Sequence, residues 1–299
     1  MRLGVIVCGQ IRSFFIKSLD IELLNMLERS GYDVIEIVFV INDNYNQTMF
    51  DKFKKYNLHF IDYRYYIEEH NKNHIMRLKN QLFIYNHSKL YRGKTDILDG
   101  IKQHTMQFNQ LQLGIHKLKS IEEISNFKFD IIMKTRFDIH IPSYFVPLMR
   151  EKQETFIKKI NQNDVLLKRF NNKMNALNWH ESEIEEHLKK KESINKMNTQ
   201  SFIEYQDLTF GATNVYNYLV LNRIRNGSNN IIYAFRDYLI FGSRDDFIKL
   251  ERFYDEYCLC KNYHNVDKRL IPECEIIAYA LYNNIDLLMY PDGDFTREC

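Results

Sequence analysis

The chain has 299 residues, a formal net charge of +2, 45% hydrophobic and 27% charged residues. This length suits one large α/β domain or two small ones with a sizeable core, and 20 Tyr and 21 Phe predict that much of this core is aromatic. The balanced charge argues against the basic face of a duplex-binding protein. Five cysteines without a CxxC pair argue against a disulfide framework or a zinc site and favour reduced thiols.

Apolar stretches are short throughout the chain. None approaches the roughly 18 to 20 residues that a membrane-spanning helix needs, and the N-terminal residues lack the charged and then apolar layout of a signal peptide. We therefore expect a cytoplasmic protein without a membrane span. Abundant Asn, Ile and Lys beside few Gly and Pro indicate AT-rich coding DNA, as in some large DNA viruses, protists and low-GC bacteria. A viral origin would place the protein in the host cytoplasm or the virion.

The first part of the chain alternates between strand and helix patterns. Buried strands are predicted at 3–8, 33–41 and 58–61, and helices at 13–30 and about 45–56. This β-α-β-α-β order predicts a mostly parallel sheet covered by helices.

Two helices and a further buried strand follow. The helices are predicted at 74–92 and 99–119, and the second has mostly apolar residues at helical spacing. These are Ile101, Thr105, Phe108, Leu111, Ile115 and Leu118. The strand at 129–135 ends in Arg136, Phe137 and Asp138, after which the chain should leave the sheet.

The second half begins with a polar stretch and then becomes regular again. Residues 163–167 suggest a short strand, and the Glu- and Lys-rich residues 180–198 suggest either a solvated helix or a mobile flap over an acceptor site. Strands are then predicted at 207–211, 237–242 and 285–290, helices at 245–258 and 273–284, and a loop at 226–230.

Small and charged residues follow the first two predicted strands. Open α/β sheets bind ligands beyond the carboxyl ends of their strands. Gly9 would permit close approach of a ligand to the backbone, and Gln10 and Arg12 could contact a nucleotide or simply form a strand-to-helix turn. Asn42, in Asn42-Asp43-Asn44, could contact a base or ribose, although helix capping by Asn44 is an equal alternative.

The strand that ends in Arg136 and Asp138 is the most informative part of the chain. A carboxylate at a strand end can hold a hard divalent cation, which can in turn grip a diphosphate. The alternative is a structural ion pair between Arg136 and Asp138. His140 would point to the same side of an extended chain as Asp138, so it is either a second metal ligand or a hydrogen-bonded structural residue.

Together these features resemble the GT-A nucleotide-sugar glycosyltransferases, in particular a group related to lipopolysaccharide-synthesis and viral glycosyltransferases. The matching pieces occur in order along nearly the whole chain. They are Gly9-Gln10-Ile11-Arg12, then Gln107 and Gln110, then Phe129 to Ile132 with Arg136-Phe137-Asp138, then Asp237 with Phe241-Gly242, and finally Glu273 or Glu275 at a helix start. The resemblance implies a single large Rossmann-like GT-A domain, with a nucleotide-sugar-binding half at 1–145, an acceptor-side half at 146–299 and a polar flap at about 165–200.

The resemblance also implies the reaction and its site. A sugar would move from a nucleotide-diphosphate sugar to a glycan or other hydroxyl acceptor, with Mn²⁺ or Mg²⁺ as cofactor. The expected donor-binding residues are Gly9, Gln10, Arg12, Asn42 and Arg136, and the expected metal ligands are Asp138 and His140. Family members carry an Asp-x-Asp motif, whose first position here is Arg136. An Arg could itself neutralise phosphate charge through bidentate hydrogen bonds.

Asp237 and Glu275 are the candidates for the acceptor side. An inverting transfer needs one carboxylate to remove the proton from the acceptor hydroxyl, whereas a retaining transfer needs a different arrangement. Glu275 could also serve only to favour a helix N-terminus. Asp292-Gly293-Asp294 is a literal Asp-x-Asp, but it follows a Pro after the last strand and suggests a turn, or else a tail that folds back onto the metal.

A second function class stays open. Because the first Asp of the motif is missing, the chain could be a non-catalytic nucleotide- or carbohydrate-binding module with the same fold. The sequence contains no GxGxxG or P-loop, which argues against a dinucleotide oxidoreductase or an NTPase. No nucleic-acid partner is expected, because the Tyr and Lys residues are dispersed along the chain.

Overall fold

The structure is a computed structural model that describes residues 1–72, 96–141, 143, 145, 231–235, 238–255, 276, 279–280, 283 and 285–290. Within these residues, seven strands form one sheet: β1 (Arg2–Gly9), β2 (Val34–Ile41), β3 (Asn57–Asp62), β4 (Ile131–Arg136), β5 (Ile231–Phe235), β6 (Leu239–Ser243) and β7 (Asp286–Tyr290). The longer helices are α1 (Leu19–Arg29) and α2 (Asp96–Ser125). Shorter helical segments are Gln47–Phe53, Tyr63–Tyr66, Arg244–Phe247 and Ile248–Arg252.

The sheet has the strand order β3-β2-β1-β4-β6-β5-β7. Strands β1 to β4 are mutually parallel, β6 runs antiparallel to β4 and β5, and β5 is parallel to β7. The sheet is therefore mixed but mostly parallel, which confirms the α/β class. Along the chain, β2 is added next to β1 and β3 next to β2, whereas β4 is added on the other side of β1. The boundary between β1 and β4 is thus a topological switch point.

The central strands are apolar because both faces of the sheet are covered. In β1 the residues from Leu3 to Cys8 are buried, and in β2 those from Ile35 to Ile41 are buried. Such buried runs without alternation, apolar except for Glu36, are typical of parallel strands between two helical layers. The buried Glu36 on β2 is paired with edge strand β3, where Asn57 Nδ2 donates to it at 2.7 Å and His59 Nε2 lies 2.7 Å away.

One face of the sheet carries an aromatic core. Phe39 on β2 lies at its centre, with ring centroids 4.4 Å from Phe50, 5.8 Å from Phe53 and 5.9 Å from Phe137. Phe14, in the connection between β1 and α1, packs edge-on against Phe137 at 5.0 Å. This cluster confirms the expected aromatic core, and it lies directly beneath the turn that follows β4.

Helix α2 packs closely on the opposite face. Its residues Phe108, Leu111, Ile115 and Leu118 are buried, as the helical spacing predicts. A side chain added at Gly114 would place its Cβ 2.5 Å from Ile6 Cγ2, and one added at Gly4 would meet Leu118 Cδ1 at 3.0 Å. Glycine at these positions therefore sets the short distance between α2 and β1.

We expect Gly114→Ala to destabilise the protein by about 1–3 kcal/mol, because the methyl group forces apart a closely packed helix and strand. The better helix propensity of Ala, worth up to about 1 kcal/mol, offsets only part of this cost. Urea unfolding followed by circular dichroism measures the change. The matched control is Ser125→Ala at the end of the same helix, where unfolding should change little; equal stability of Gly114→Ala and wild type would contradict the close packing.

Several element boundaries differ from the sequence-based expectation. Residues 12–18 form turns, so α1 begins at Leu19 rather than near residue 13, and Ser18 has a left-handed backbone with φ of 59°. The helix expected at about 45–56 is the 3₁₀ segment Gln47–Phe53. Strand β5 was not predicted. The helix predicted at 245–258 is divided between Arg244–Phe247 and Ile248–Arg252.

Some predictions fall where the structure gives no description. These are the elements at 74–92, 163–167, 180–198, 207–211 and 226–230, and the flap at about 165–200, which all lie outside the described residues. Among the described residues, no helix is both long enough and apolar enough to cross a membrane.

Candidate functional site

The carboxyl ends of β1, β2 and β4 lie side by side at one edge of the sheet. Cys8 on β1 is opposite Arg136 on β4, and Gly9 is opposite Ile41 on β2. The backbone N–H of Phe137 donates to Cys8 O at 3.3 Å, and that of Asn42 donates to Gly9 O at 3.4 Å. The three segments that carry the predicted donor-binding residues therefore start next to one another, around the switch point.

The end of β1 and the residues after it combine a glycine of positive φ with an exposed cation. Gly9 has φ of 116°, a backbone conformation that residues other than glycine rarely adopt. The N–H of Ile11 donates to Asp43 Oδ2 at 2.8 Å, which ties this segment to the one after β2. Gln10 and Arg12 are exposed, and no hydrogen bond or ion pair involving Arg12 occurs within the described residues. The Arg12 guanidinium is thus accessible to an anion at this edge.

Asn42 is half-buried just beyond β2. Its Oδ1 is buried and has no hydrogen-bond partner in the part of the chain that the structure describes. The capping alternative is wrong for this segment, because Asn46 caps the following 3₁₀ helix by accepting from the Thr48 N–H at 3.1 Å. A donor group from a ligand or a water molecule would satisfy the Asn42 oxygen, since an unpaired buried acceptor is costly.

Arg136 and Asp138 form a bidentate ion pair. Arg136 Nε donates to Asp138 Oδ1 at 2.8 Å, and Arg136 Nη2 donates to Asp138 Oδ2 at 2.7 Å. Arg136 Nη1 donates to Gln107 Oε1 on α2 at 2.9 Å, and the guanidinium lies 5.7 Å from the ring centroid of Tyr238. The side chains of Arg136 and Asp138 are only 9% and 18% exposed. The guanidinium plane is therefore held from three sides.

His140 is held by a different part of the protein. Its Nδ1 lies 2.9 Å from Glu22 Oε1 on α1, and the other oxygen of Glu22 accepts from the Ile141 N–H at 2.8 Å. The two predicted metal ligands, His140 and Asp138, thus each have another partner. Among the described residues, no group of three or more His, Cys, Asp and Glu side chains is arranged to hold a metal ion. Asp138, with both oxygens engaged by Arg136, fits an ion pair better than a site for Mn²⁺ or Mg²⁺.

The end of β3 contributes residues that the sequence reasoning missed. The Asp62 carboxylate caps the next 3₁₀ turn through the Arg64 N–H and also accepts from Arg64 Nε at 2.8 Å. These hydrogen bonds from the Arg64 side chain hold the pKa of Asp62 below its usual value. Arg64 also bonds Asn44, which follows β2. Asp62 is the last residue of β3, as Arg136 is of β4. A search for charged residues at strand ends could therefore have found Asp62 as well.

A buried tyrosine lies beside this end of β3. Tyr63 is fully buried, and its hydroxyl donates to Asn109 Oδ1 on α2 at 2.7 Å. Burial raises its pKa above the ordinary value. Tyr63 therefore stays neutral and serves to anchor the β3 end to α2.

The two candidate acceptor-side residues, Asp237 and Glu275, lie outside the described residues, as does Asp292-Gly293-Asp294. Tyr238, the neighbour of Asp237 in the chain, lies beside Arg136, because the antiparallel pairing of β4 and β6 brings Tyr238 and Arg136 together.

Comparison of the chain with protein-family models, curated proteins and solved structures finds no match.

Proposed function

We propose that the chain is a GT-A-type glycosyltransferase that moves a sugar from a nucleotide-diphosphate sugar to a glycan or other hydroxyl acceptor. The observation that carries the proposal is the meeting of the β1 and β4 ends at a switch point, with Gly9, the exposed Arg12 and Arg136 around it. Open α/β sheets bind nucleotides at such points. The mostly parallel sheet is consistent with the GT-A fold, although it is common to many α/β proteins.

The proposed chemistry assigns a role to each segment of this edge. The diphosphate of the donor would lie over Gly9, where the backbone permits close approach, and Arg12 would stabilise the negative charge that develops on the leaving phosphate. Asn42 would offer its unpaired oxygen to a donor group of the nucleotide. Asp237 or Glu275 would take the proton from the acceptor hydroxyl. Binding of Mn²⁺ or Mg²⁺ stays a prediction, and no step of this scheme requires it.

One observation favours the second candidate function, a non-catalytic nucleotide- or carbohydrate-binding module. The carboxylate that remains of the Asp-x-Asp motif, Asp138, is engaged by Arg136 through both oxygens. A site that has kept its cations and lost its metal ligand could bind a nucleotide without turning it over. Binding of UDP or GDP without hydrolysis or transfer across many acceptors would favour this module.

We expect Arg12→Ala to weaken the binding of UDP or GDP about tenfold or more, because a charge-assisted hydrogen bond contributes about 1.5–3 kcal/mol. Titration calorimetry measures the affinity, and an assay of sugar-nucleotide hydrolysis or transfer measures the activity. Arg12 is exposed and makes no hydrogen bond or ion pair within the described residues, so the fold should be unaffected.

The matched control is Arg29→Ala. Arg29 is exposed at the C-terminal end of α1, which leads into the start of β2 at the opposite edge of the sheet. Its substitution should leave nucleotide affinity unchanged. Equal affinities of Arg12→Ala and wild type, or a wild type that binds neither nucleotide, would refute the proposed function.

A further inference from the structure

We propose that Asp138 is a positioning residue for Arg136 rather than a metal ligand, and that Arg136 supplies at the end of β4 the positive charge that the metal ion supplies in the resembled family. The role of Arg136 rests on the proposed function, whereas the role of Asp138 as its hydrogen-bond partner does not. The consequence is a donor site whose affinity for a nucleoside diphosphate does not depend on a divalent ion at Asp138.

The geometry of the ion pair supports this role for Asp138. Both carboxylate oxygens accept hydrogen bonds from one guanidinium, at 2.8 and 2.7 Å. A planar guanidinium and a carboxylate match each other in this fork arrangement, which fixes orientation as well as charge. A divalent ion bound to the same oxygens would face the guanidinium at close range in a largely buried site, where repulsion between like charges is strong.

Two further contacts fix the orientation of the Arg136 guanidinium. Gln107 accepts from Nη1 at 2.9 Å, and Tyr238 offers its ring at 5.7 Å. These two contacts come from α2 and from the turn before β6, so helix, sheet and turn all fix one side chain. Arg136 is also opposite Cys8, immediately before Gly9. A diphosphate over Gly9 would therefore lie next to a guanidinium that is already oriented.

The other predicted ligand, His140, contacts a different helix from the one that contacts Arg136. His140 and the Ile141 N–H both contact Glu22 on α1, so the chain after the turn is bound to the helix on the aromatic face. Gln107, by contrast, belongs to α2 on the opposite face. Asp138 and His140 thus serve two different layers of the protein.

The first experiment measures Mn²⁺ binding by the full chain without nucleotide, by water-proton relaxation. Asp138→Asn is nearly isosteric and is compared with Asp245→Asn. Asp245 is an exposed carboxylate that also pairs with an arginine, Arg244, at 2.9 Å, but it lies at the opposite edge of the sheet. We expect wild type and both variants to bind the same number of Mn²⁺ ions with the same affinity. Loss of an ion in Asp138→Asn alone would overturn the proposal.

The second experiment measures UDP and GDP affinity, once with excess EDTA and once with Mn²⁺. In EDTA, Asp138→Ala should bind about tenfold more weakly than wild type, because Arg136 loses the partner that orients it, and Asp138→Asn, which keeps one acceptor oxygen, should recover part of the loss. The ratio of the Mn²⁺ affinity to the EDTA affinity should be the same in wild type and Asp138→Ala. A purely structural ion pair would change thermal stability without changing these affinities.

Two outcomes of the second experiment would overturn the proposal. One is an Asp138→Ala variant that loses affinity only when Mn²⁺ is present, and the other is an Asp138→Ala variant with wild-type affinity in EDTA. A wild type that binds neither nucleotide would instead refute the proposed function, together with the role of Arg136 in donor binding. The Mn²⁺ titration then still decides whether Asp138 is a metal ligand.

Discussion

Arg136→Met should lower the free energy of unfolding by about 3 kcal/mol, because it removes the guanidinium that holds both oxygens of the largely buried Asp138 carboxylate. The pair is well shielded, with side chains 9% and 18% exposed, so water cannot fully replace the guanidinium. The same substitution should reduce nucleotide binding below detection if Arg136 contacts the diphosphate. Urea unfolding monitored by circular dichroism measures the first effect, and calorimetry measures the second.

A double substitution separates the cost of the lost pair from the cost of the unpaired charge. Arg136→Met combined with Asp138→Asn removes both charges, so its cost should be smaller than the sum of the two single costs. The coupling between the two positions is expected to exceed about 1 kcal/mol, as is usual for residues in one hydrogen-bonded network. If the changes in the free energy of unfolding were additive, or if Arg136→Met left that free energy nearly unchanged, the ion pair would not stabilise this edge of the sheet.

Phe137→Ala should lower the free energy of unfolding by about 3–5 kcal/mol, the usual cost of removing a buried aromatic ring. Phe137 is fully buried, packs edge-on against Phe14 at 5.0 Å and stacks near Phe39 at 5.9 Å. It also stands between Arg136 and Asp138 in the chain. The cavity should therefore disturb the ion pair, and nucleotide affinity should fall together with stability.

Phe137→Leu is the matched control for this effect. It keeps an apolar side chain of similar reach and should cost clearly less than Phe137→Ala, with nucleotide affinity close to wild type. Urea unfolding and calorimetry on both variants give the comparison. A Phe137→Ala variant with wild-type stability would mean that the ring does not support the turn after β4.

The strands show how far a local pattern can lead. The strands β1, β2 and β4 are mostly apolar, with buried residues at nearly every position, and their bounds follow from the sequence to within one or two residues. Strand β5, Ile231–Phe235, is as apolar as the others but short, and it was missed. Short apolar runs do not separate strand from helix by periodicity, and the pairing of β5 with β6 and β7 is what makes it a strand.

The candidate site also combines features that follow from the sequence with features that do not. The position of Gly9, Arg12 and Arg136 at strand ends follows from the sequence, because parallel strands put their carboxyl ends at one edge. The role of Asp62 at the end of β3 followed from the same rule but was overlooked. By contrast, Gln107 lies 29 residues before Arg136 in the chain. Tyr238 comes next to Arg136 only because β6 pairs with β4. No local pattern contains that information.

The amino-acid sequence by itself determined the α/β class, the apolar strands and the location of charged residues at their ends, because burial and alternation of elements are encoded in local periodicity. Only the tertiary structure decided the strand order, the pairing of Arg136 with Asp138 and the contact of His140 with Glu22 on α1. The physical reason is that a carboxylate accepts a guanidinium or a metal ion equally well in principle. The choice depends on which charged groups the packing of distant helices and strands brings within hydrogen-bonding distance.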